Sequence, residues 1–240
     1  MRTQYHRPMI DLRTLDWSAV ERDLFTDGYA VVPEVLDESA CASLRESFDD
    51  DSLFRSRVVM ERHQFGRGEY KYYAYPLPPL IGALRESAYA PLASIANRWN
   101  EALGLRERFP ETLQTMLALC AENEQLRPTA LLLRYREGDY NCLHQDLYGQ
   151  IAFPFQMTFL LDERGVDYEG GEFVLVEQRP RAQSRPEVIT PRRGDCIIFP
   201  NRYRPVQGKT GTYRTTYKHG VSRLRSGRRH ALGIIFHDAT

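Results

Sequence analysis

From Pro128 onward the chain is a succession of short β-rich runs, and no other feature limits its fold so narrowly. "TALLLRYREG", "FQMTFLLDE", "GEFVLVEQ", "DCIIFP", "TYRTTYKHGVS" and "HALGIIFHD" are rich in β-branched and aromatic residues, with Gly, Pro, Asn and Asp between them. A series of short strands punctuated in this way closes into a sandwich or barrel. The architecture expected is mainly β with α, a double-sheet jelly roll with helices packed outside it.

Those helices come first. Residues 16–26 are amphipathic and end at Asp27-Gly28, a stop signal. "YAVVPEVL" reads as a short strand, and Asp37 or Ser39 can cap a helix running to Phe48. "PLIGALRESAYAPLASIANRWNEALG" has helical spacing with Gly104 as its stop, and residues 111–123 form another helix. Trp17 and Trp99 fall on apolar helix faces and are assigned to the core. No flexible tract precedes Pro128, so residues 1–240 are expected to form one domain. Residues 1–127 would be mainly helical support with a candidate substrate lid, and 128–240 the catalytic jelly-roll core.

Composition limits the class. No run approaches the roughly 18–20 apolar residues of a membrane helix, and the N-terminus lacks the apolar stretch of a secretory signal. Cys41, Cys120, Cys142 and Cys196 form no CxxC pair, as in a reducing, cytoplasmic setting. The net charge is zero, yet residues 179–229 hold fourteen Lys/Arg and two acids, a local +12. That asymmetry points to a polyanion such as nucleic acid, or to internal pairing with the acidic remainder.

One stretch carries chemistry. In "NCLHQDLYG", His144 and Asp146 stand two apart just after a strand-like run. In a strand, residues i and i+2 share a face, so both metal-capable groups would converge. His219, 73 residues after Asp146 on a later strand, is the third ligand candidate. Two histidines and a carboxylate leave open positions, as non-haem Fe(II) requires; manganese accepts the same ligands. A closed zinc site would want a fourth ligand. Arg229 lies ten residues past His219, after the turn signal Ser226-Gly227. A hairpin there would bring its guanidinium beside His219, where it could hold a carboxylate in a bidentate pair. Tyr135 shares the parity of Leu131 and Leu133, hence the barrel interior, and its hydroxyl could assist.

Other residues are weaker candidates. "EYKYYAY" interleaves Lys71 with Tyr70, Tyr72, Tyr73 and Tyr75, a pattern that can stack exposed bases or simply pack as an edge strand. Tyr70, Lys71 and Tyr73 are the substrate candidates there, with the preceding "FGRG" loop. Arg179 and Arg181, with Arg185, lie in a predicted loop that could meet phosphate. His6 and His63 fall in polar stretches, His230 should face away from the barrel, and His237 lies eight residues along the strand from Arg229. Cys142 reads as a small packing residue beside the site.

The ordered set "RYREGDYNCLHQD", "GGEFVL", "GDCIIF" and "HGVSRLRSGRR" resembles the Fe(II)/2-oxoglutarate-dependent oxygenases. The resemblance implies a double-stranded β-helix, the cupin-like jelly roll. It also implies iron on His144, Asp146 and His219, and 2-oxoglutarate held by Arg229 with Tyr135 assisting. Met157, Thr158 and Asp195 match nothing in that motif set and are left out of the site. "RSRVVMERHQFGRGEYKYYAYPLPPL", "ANRWN", "VLVEQRPRAQSRPEV" and "RSGRRHALGIIFHDA" are similar to a prokaryotic oxygenase family described as acting oxidatively on damaged DNA. The ten-residue spacing from His219 to Arg229 instead matches prolyl-hydroxylase-like members, since AlkB-type repair enzymes place that arginine farther on.

These resemblances imply an enzyme: a dioxygenase that uses Fe(II), 2-oxoglutarate and O₂ to hydroxylate a C–H bond. On an N-methyl group the product would release formaldehyde. Alkylated nucleic acid is the first substrate expected. A protein side chain or small molecule is the second, and a non-catalytic jelly-roll binding module the third.

Overall fold

The computed structural model describes residues 11–240, so His6 lies outside the described residues. Four α-helices are present: α1 (Trp17–Thr26), α2 (Glu38–Ser47), α3 (Pro79–Ala102) and α4 (Leu113–Glu122). Local chemistry starts each of them. The Asp16 carboxylate accepts from the backbone N–H of Ser18 and Ala19, that of Asp37 from Ala40, and the Thr112 hydroxyl from Thr115. These side chains satisfy donors that a first turn leaves free. Helix α3 begins with proline at its first turn and buries Ile81, Leu84, Ala88, Leu92, Ile95 and Trp99, spaced three or four apart.

The described residues also contain fourteen strands. The early ones are β1 (Ala30–Val32), β2 (Phe54–Val59), β3 (Gly66–Arg67) and β4 (Glu69–Tyr73). After the helices come β5 (Leu131–Arg136), β6 (Tyr140–His144), β7 (Phe155–Leu160), β8 (Tyr168–Gly170) and β9 (Phe173–Gln178). Then follow β10 (Arg185–Ile189), β11 (Cys196–Pro200), β12 (Tyr203–Gly208), β13 (Gly211–Val221) and β14 (Leu224–Ile235). They form two antiparallel sheets. The larger has the order β1-β11-β7-β14-β5-β4-β2, with β8 also on β14; the smaller has β10-β9-β13-β6-β3, with β12 on β13. This is the expected jelly roll.

The larger sheet separates two environments. Along β7, Phe155, Met157 and Phe159 pack into the main core with Trp99, Tyr89 and Leu92 of α3. Gln156 and Thr158, on the opposite face, line the interior between the sheets. One core face and one site face thus come from a single strand's two-residue period.

Three local expectations change. The stretch "YAVVPEVL" is a strand only over Ala30–Val32. Pro33 has no N–H to give a ladder, and Glu34 takes φ 53° with its N–H donating to Asp195 Oδ1 at 2.9 Å. Asp195 therefore serves a turn. Residues 54–73 contribute β2, β3 and β4 as well as loops, and β4 is interior, flanked by β2 and β5. The chain reversal near the third ligand falls between Val221 and Leu224, not at Ser226-Gly227. At Gly227 φ is +79°, and a Cβ would lie 2.0 Å from the Asp167 carbonyl oxygen, so glycine there admits the close passage of β8. Among the described residues no helix is long and apolar enough to cross a membrane.

Candidate metal centre

Strands β6 and β13 pair so that His144 stands directly opposite His219. Their rings are 4.2 Å apart between centroids. Asp146 follows two residues after the end of β6 and turns inward, 8% exposed. Its Oδ2 is 3.2 Å from His219 Nε2, and its Oδ1 is 3.5 Å from His144 Nε2. All three ligand atoms lie within 4.8 Å of one another.

The donor set fits a divalent first-row metal. His144 Nδ1 donates to the Cys142 carbonyl at 2.7 Å, which leaves Nε2 as the free lone pair. His219 is set by aromatic neighbours: Phe173 lies roughly parallel at 5.9 Å and Phe199 edge-on at 4.9 Å. Two imidazole nitrogens and one carboxylate on one side of a point, with a cavity on the other, make a facial triad. Burial would raise the Asp146 carboxyl, but the hydrogen bonds and charges of His144 and His219 hold it well below the usual range. Burial pushes His219 down; in His144 burial is the largest single cause, but the bond and charge of Asp146 together with backbone hydrogen bonds outweigh it and raise the ring.

A fourth group braces the ligand. Tyr148 Oη donates to Asp146 Oδ1 at 2.5 Å. Burial and the adjacent carboxylate keep that phenol protonated, well above its ordinary value. One carboxylate oxygen, the one nearer His144, is thereby engaged, and the other is left toward His219.

The opposite wall carries the candidate carboxylate clamp. Arg229 on β14 pairs with Tyr135 on β5 and is 2% exposed. Its guanidinium carbon lies 5.5 Å from the Tyr135 ring. Arg229 Nε and Tyr135 Oη are both buried without a hydrogen-bond partner. Unsatisfied buried donors are costly, and an anionic ligand would satisfy these. Gly171 makes room for the arginine: a Cβ there would sit 3.0 Å from Arg229 Cδ. Because β13 and β14 belong to different sheets, Arg229 reaches the pocket from the facing sheet rather than by a hairpin beside His219.

The cavity between these walls measures about 310 Å³. Tyr70, Asn141, Tyr148, Gln156 and Thr158 line it alongside the triad and the clamp. No sequence motif marks Thr158 or Gln156, whose Nε2 lies 3.5 Å from His219 Nε2. The alternation of β7 was the available signal, since its two polar residues share the inward parity. Cys142 lines the cavity too and is exposed, unlike the other three thiols.

Several substrate candidates lie elsewhere. Tyr70 faces the cavity, but Lys71 and Tyr73 point to the helical side of β4. Lys71 is 5% exposed, with Nζ 2.7 Å from the Phe48 carbonyl and 2.5 Å from Asp51. Tyr73 is fully buried against Phe54. Neither can touch a substrate in this pocket. Arg179 pairs with Glu177 at 2.9 Å, and Arg181 sits on an exposed turn with φ 57°; neither lines the cavity. Part of the basic segment is taken up by ion pairs within the fold: Arg185 and Arg204 also reach Glu177, and Arg193 pairs with Glu38. His230 faces the helices and bonds Asp162, and His237 Nδ1 accepts from the Phe153 N–H at 3.1 Å.

A family model described as "Oxygenase, catalysing oxidative methylation of damaged DNA" matches residues 68–239. The chain belongs to this oxygenase family. Two uncharacterized proteins of Mycobacterium tuberculosis, from strains CDC 1551 / Oshkosh and H37Rv, are 45% identical over 164 residues, 68% of this chain and 70% of theirs. Among solved structures, a prolyl hydroxylase from Trichoplax adhaerens, in complex with a hypoxia inducible factor peptide fragment, superposes with TM-score 0.56 at 14% identity. It covers 95% of this chain and 96% of that one. A Pseudomonas putida prolyl-4-hydroxylase gives TM-score 0.53 at 14% identity, covering 93% and 99%. A 2OG-Fe(II) oxygenase family oxidoreductase from Burkholderia pseudomallei gives 0.52 at 14%, covering 95% and 94%. These three likenesses are of fold. Family and donor set together imply Fe(II), 2-oxoglutarate and O₂ as the cofactor set.

Proposed function

We propose that this oxygenase hydroxylates a C–H bond of alkylated nucleic acid, with oxidative demethylation as the outcome on an N-methyl group. The observation that carries the oxygenase chemistry is the convergence of His144, Asp146 and His219 on a cavity that also receives the unpartnered donors of Arg229 and Tyr135. Bound Fe(II) supplies oxygen activation, coupled to the conversion of 2-oxoglutarate to succinate and CO₂. The chain supplies the geometry. His144, Asp146 and His219 hold the metal from one side, and Tyr148 orients the carboxylate. Arg229 binds the distal carboxylate of 2-oxoglutarate, with Tyr135 Oη as a second donor. Leu131, Leu133 and Val221 keep the cavity walls apolar and limit water.

The family description and the aromatic mouth of the pocket support nucleic acid as the substrate. The ten-residue spacing of His219 and Arg229 and the likeness in fold to prolyl hydroxylases favour a second reading, a protein side chain. Succinate release separates them. Fe(II)-loaded protein with 2-oxoglutarate in air should form succinate faster with N-methylated single-stranded DNA, and Asp146→Ala and Arg229→Ala should abolish the increase. Succinate indifferent to DNA but stimulated by peptides would favour the second reading.

A further inference from the structure

The loop of residues 60–68, "MERHQFGRG", is the part of the pocket that the metal chemistry leaves unexplained. Phe65 lines the cavity yet is 48% exposed. An aromatic ring half in water at the mouth of an active site needs a reason. Its backbone is held firmly. Met60 N–H donates to the Gly68 carbonyl at 3.0 Å, Phe65 N–H to the Met60 carbonyl at 3.1 Å, and Cys142 N–H to the Phe65 carbonyl at 2.8 Å. Gln64, just before it, adopts φ 61°, a left-handed conformation that a non-glycine residue rarely takes. Gly66 has φ +132°, and a Cβ there would meet the Tyr140 carbonyl oxygen at 2.3 Å. Such local strain, tied down on all sides, gathers where a side chain must be presented in one position.

The presented side chain is already half of a stack. The His63 and Phe65 rings lie 5.3 Å apart at 22°. A parallel pair at a pocket mouth offers an outer aromatic face to a further flat ring. Charge around it agrees: Arg62 and Arg67 are exposed on the same loop, interleaved with the two rings, Arg67 lying 3.8 Å from an exposed Glu61 that a phosphate would displace. Aromatics interleaved with basic groups bind single strands, rings stacking on bases and cations on phosphates. Within the cavity, the charged lining residues are the triad and Arg229, which the metal and 2-oxoglutarate would engage, so the remaining lining offers apolar and neutral polar contacts to the substrate.

We propose that Phe65, backed by His63, is the stacking platform for a nucleobase at the entrance to the metal pocket, and so a specificity-determining residue. This rests on the nucleic-acid reading above. The platform would recognise an unstacked base by its flat face, independent of sequence, while Arg62 and Arg67 follow the backbone.

The test uses full-length protein loaded anaerobically with Fe(II) and 2-oxoglutarate, and a single-stranded oligonucleotide carrying one N-methylated base. In Phe65→Trp, the oligonucleotide should quench the introduced indole, and an indole placed by Val166→Trp, 79% exposed and outside the cavity lining, should not respond. In air, Phe65→Trp should keep the oligonucleotide KM within about threefold, while Phe65→Leu raises it about 5- to 100-fold. Retention by the indole and loss by leucine separates stacking from simple apolar contact. DNA-stimulated succinate with no quenching and an unchanged KM in Phe65→Leu would overturn the platform and leave the nucleic-acid reading standing. An oligonucleotide that neither binds nor stimulates the wild type would overturn both.

Discussion

Asp146 and Glu177 are both buried carboxylates, 8% and 1% exposed, and nitrogen donors surround both. Asp146 faces two imidazoles across a cavity. Glu177 faces three guanidiniums, with Arg179 at 2.9 Å, Arg204 at 3.4 Å and Arg185 at 3.7 Å. Imidazole can give up its proton and offer a lone pair; guanidinium cannot. One cluster can therefore exchange protons for a metal, while the other is a fixed ionic joint tying β9, β10 and β12. The nature of the partner, rather than burial or charge, decides which carboxylate is a ligand.

The sharpest separation comes from removing each acid. Asp146→Ala should abolish saturable Fe(II) binding, read by calorimetry, with a melting temperature close to the metal-free wild type. Glu177→Ala should do the reverse, costing about 3–5 kcal/mol in urea unfolding because Arg204, 3% exposed, loses its partner. Iron binding by the folded fraction should persist. If Glu177→Ala instead removed iron binding at full stability, the contrast would be wrong.

Acid should act on two histidines in different ways. His237 is pushed down to about 4, first by burial and then by Arg85. The folded state thus binds fewer protons than the unfolded one. Stability is complete above about 6.5, the ordinary histidine value, and falls as pH drops toward 4, by about 3 kcal/mol in total. His237→Gln should flatten that slope in unfolding curves taken from pH 7 to 4. His144 is raised, so Fe(II) affinity should weaken as pH falls through its titration, roughly tenfold per unit below it.

Smaller effects sharpen the site itself. Arg229→Lys keeps the charge but loses the planar fork, and the KM for 2-oxoglutarate should rise about 30-fold. Tyr148→Phe removes the bond to Asp146 Oδ1, and Fe(II) affinity should fall about tenfold in a metal titration. An unchanged affinity would make that tyrosine a packing residue.

The metal ligands were the most legible part of the chain because their placement is local: His144 and Asp146 share a parity, and His219 sits in a strand-like run. Tyr135 was readable for the same reason. What depended on distant partners was not. Lys71 reads as a surface cation, and its burial comes from Asp51 and the Phe48 carbonyl, which only the packed fold brings to it. The +12 segment reads equally as a polyanion surface or as internal pairing, and only the fold shows that Glu177 gathers three of its arginines. The route of Arg229 was misread because which sheet a strand joins is decided by long-range pairing. Gln156 and Thr158 were recoverable from alternation alone, but no motif drew attention to them.

The most direct measurement is an anaerobic titration of the purified protein with Fe(II) and then 2-oxoglutarate, followed by visible absorption. The account predicts one iron per chain and a charge-transfer band that saturates with 2-oxoglutarate, absent in Asp146→Ala and needing more cosubstrate in Arg229→Lys. Iron that fails to bind, or a band that survives Asp146→Ala unchanged, would contradict the placement of the metal at His144, Asp146 and His219.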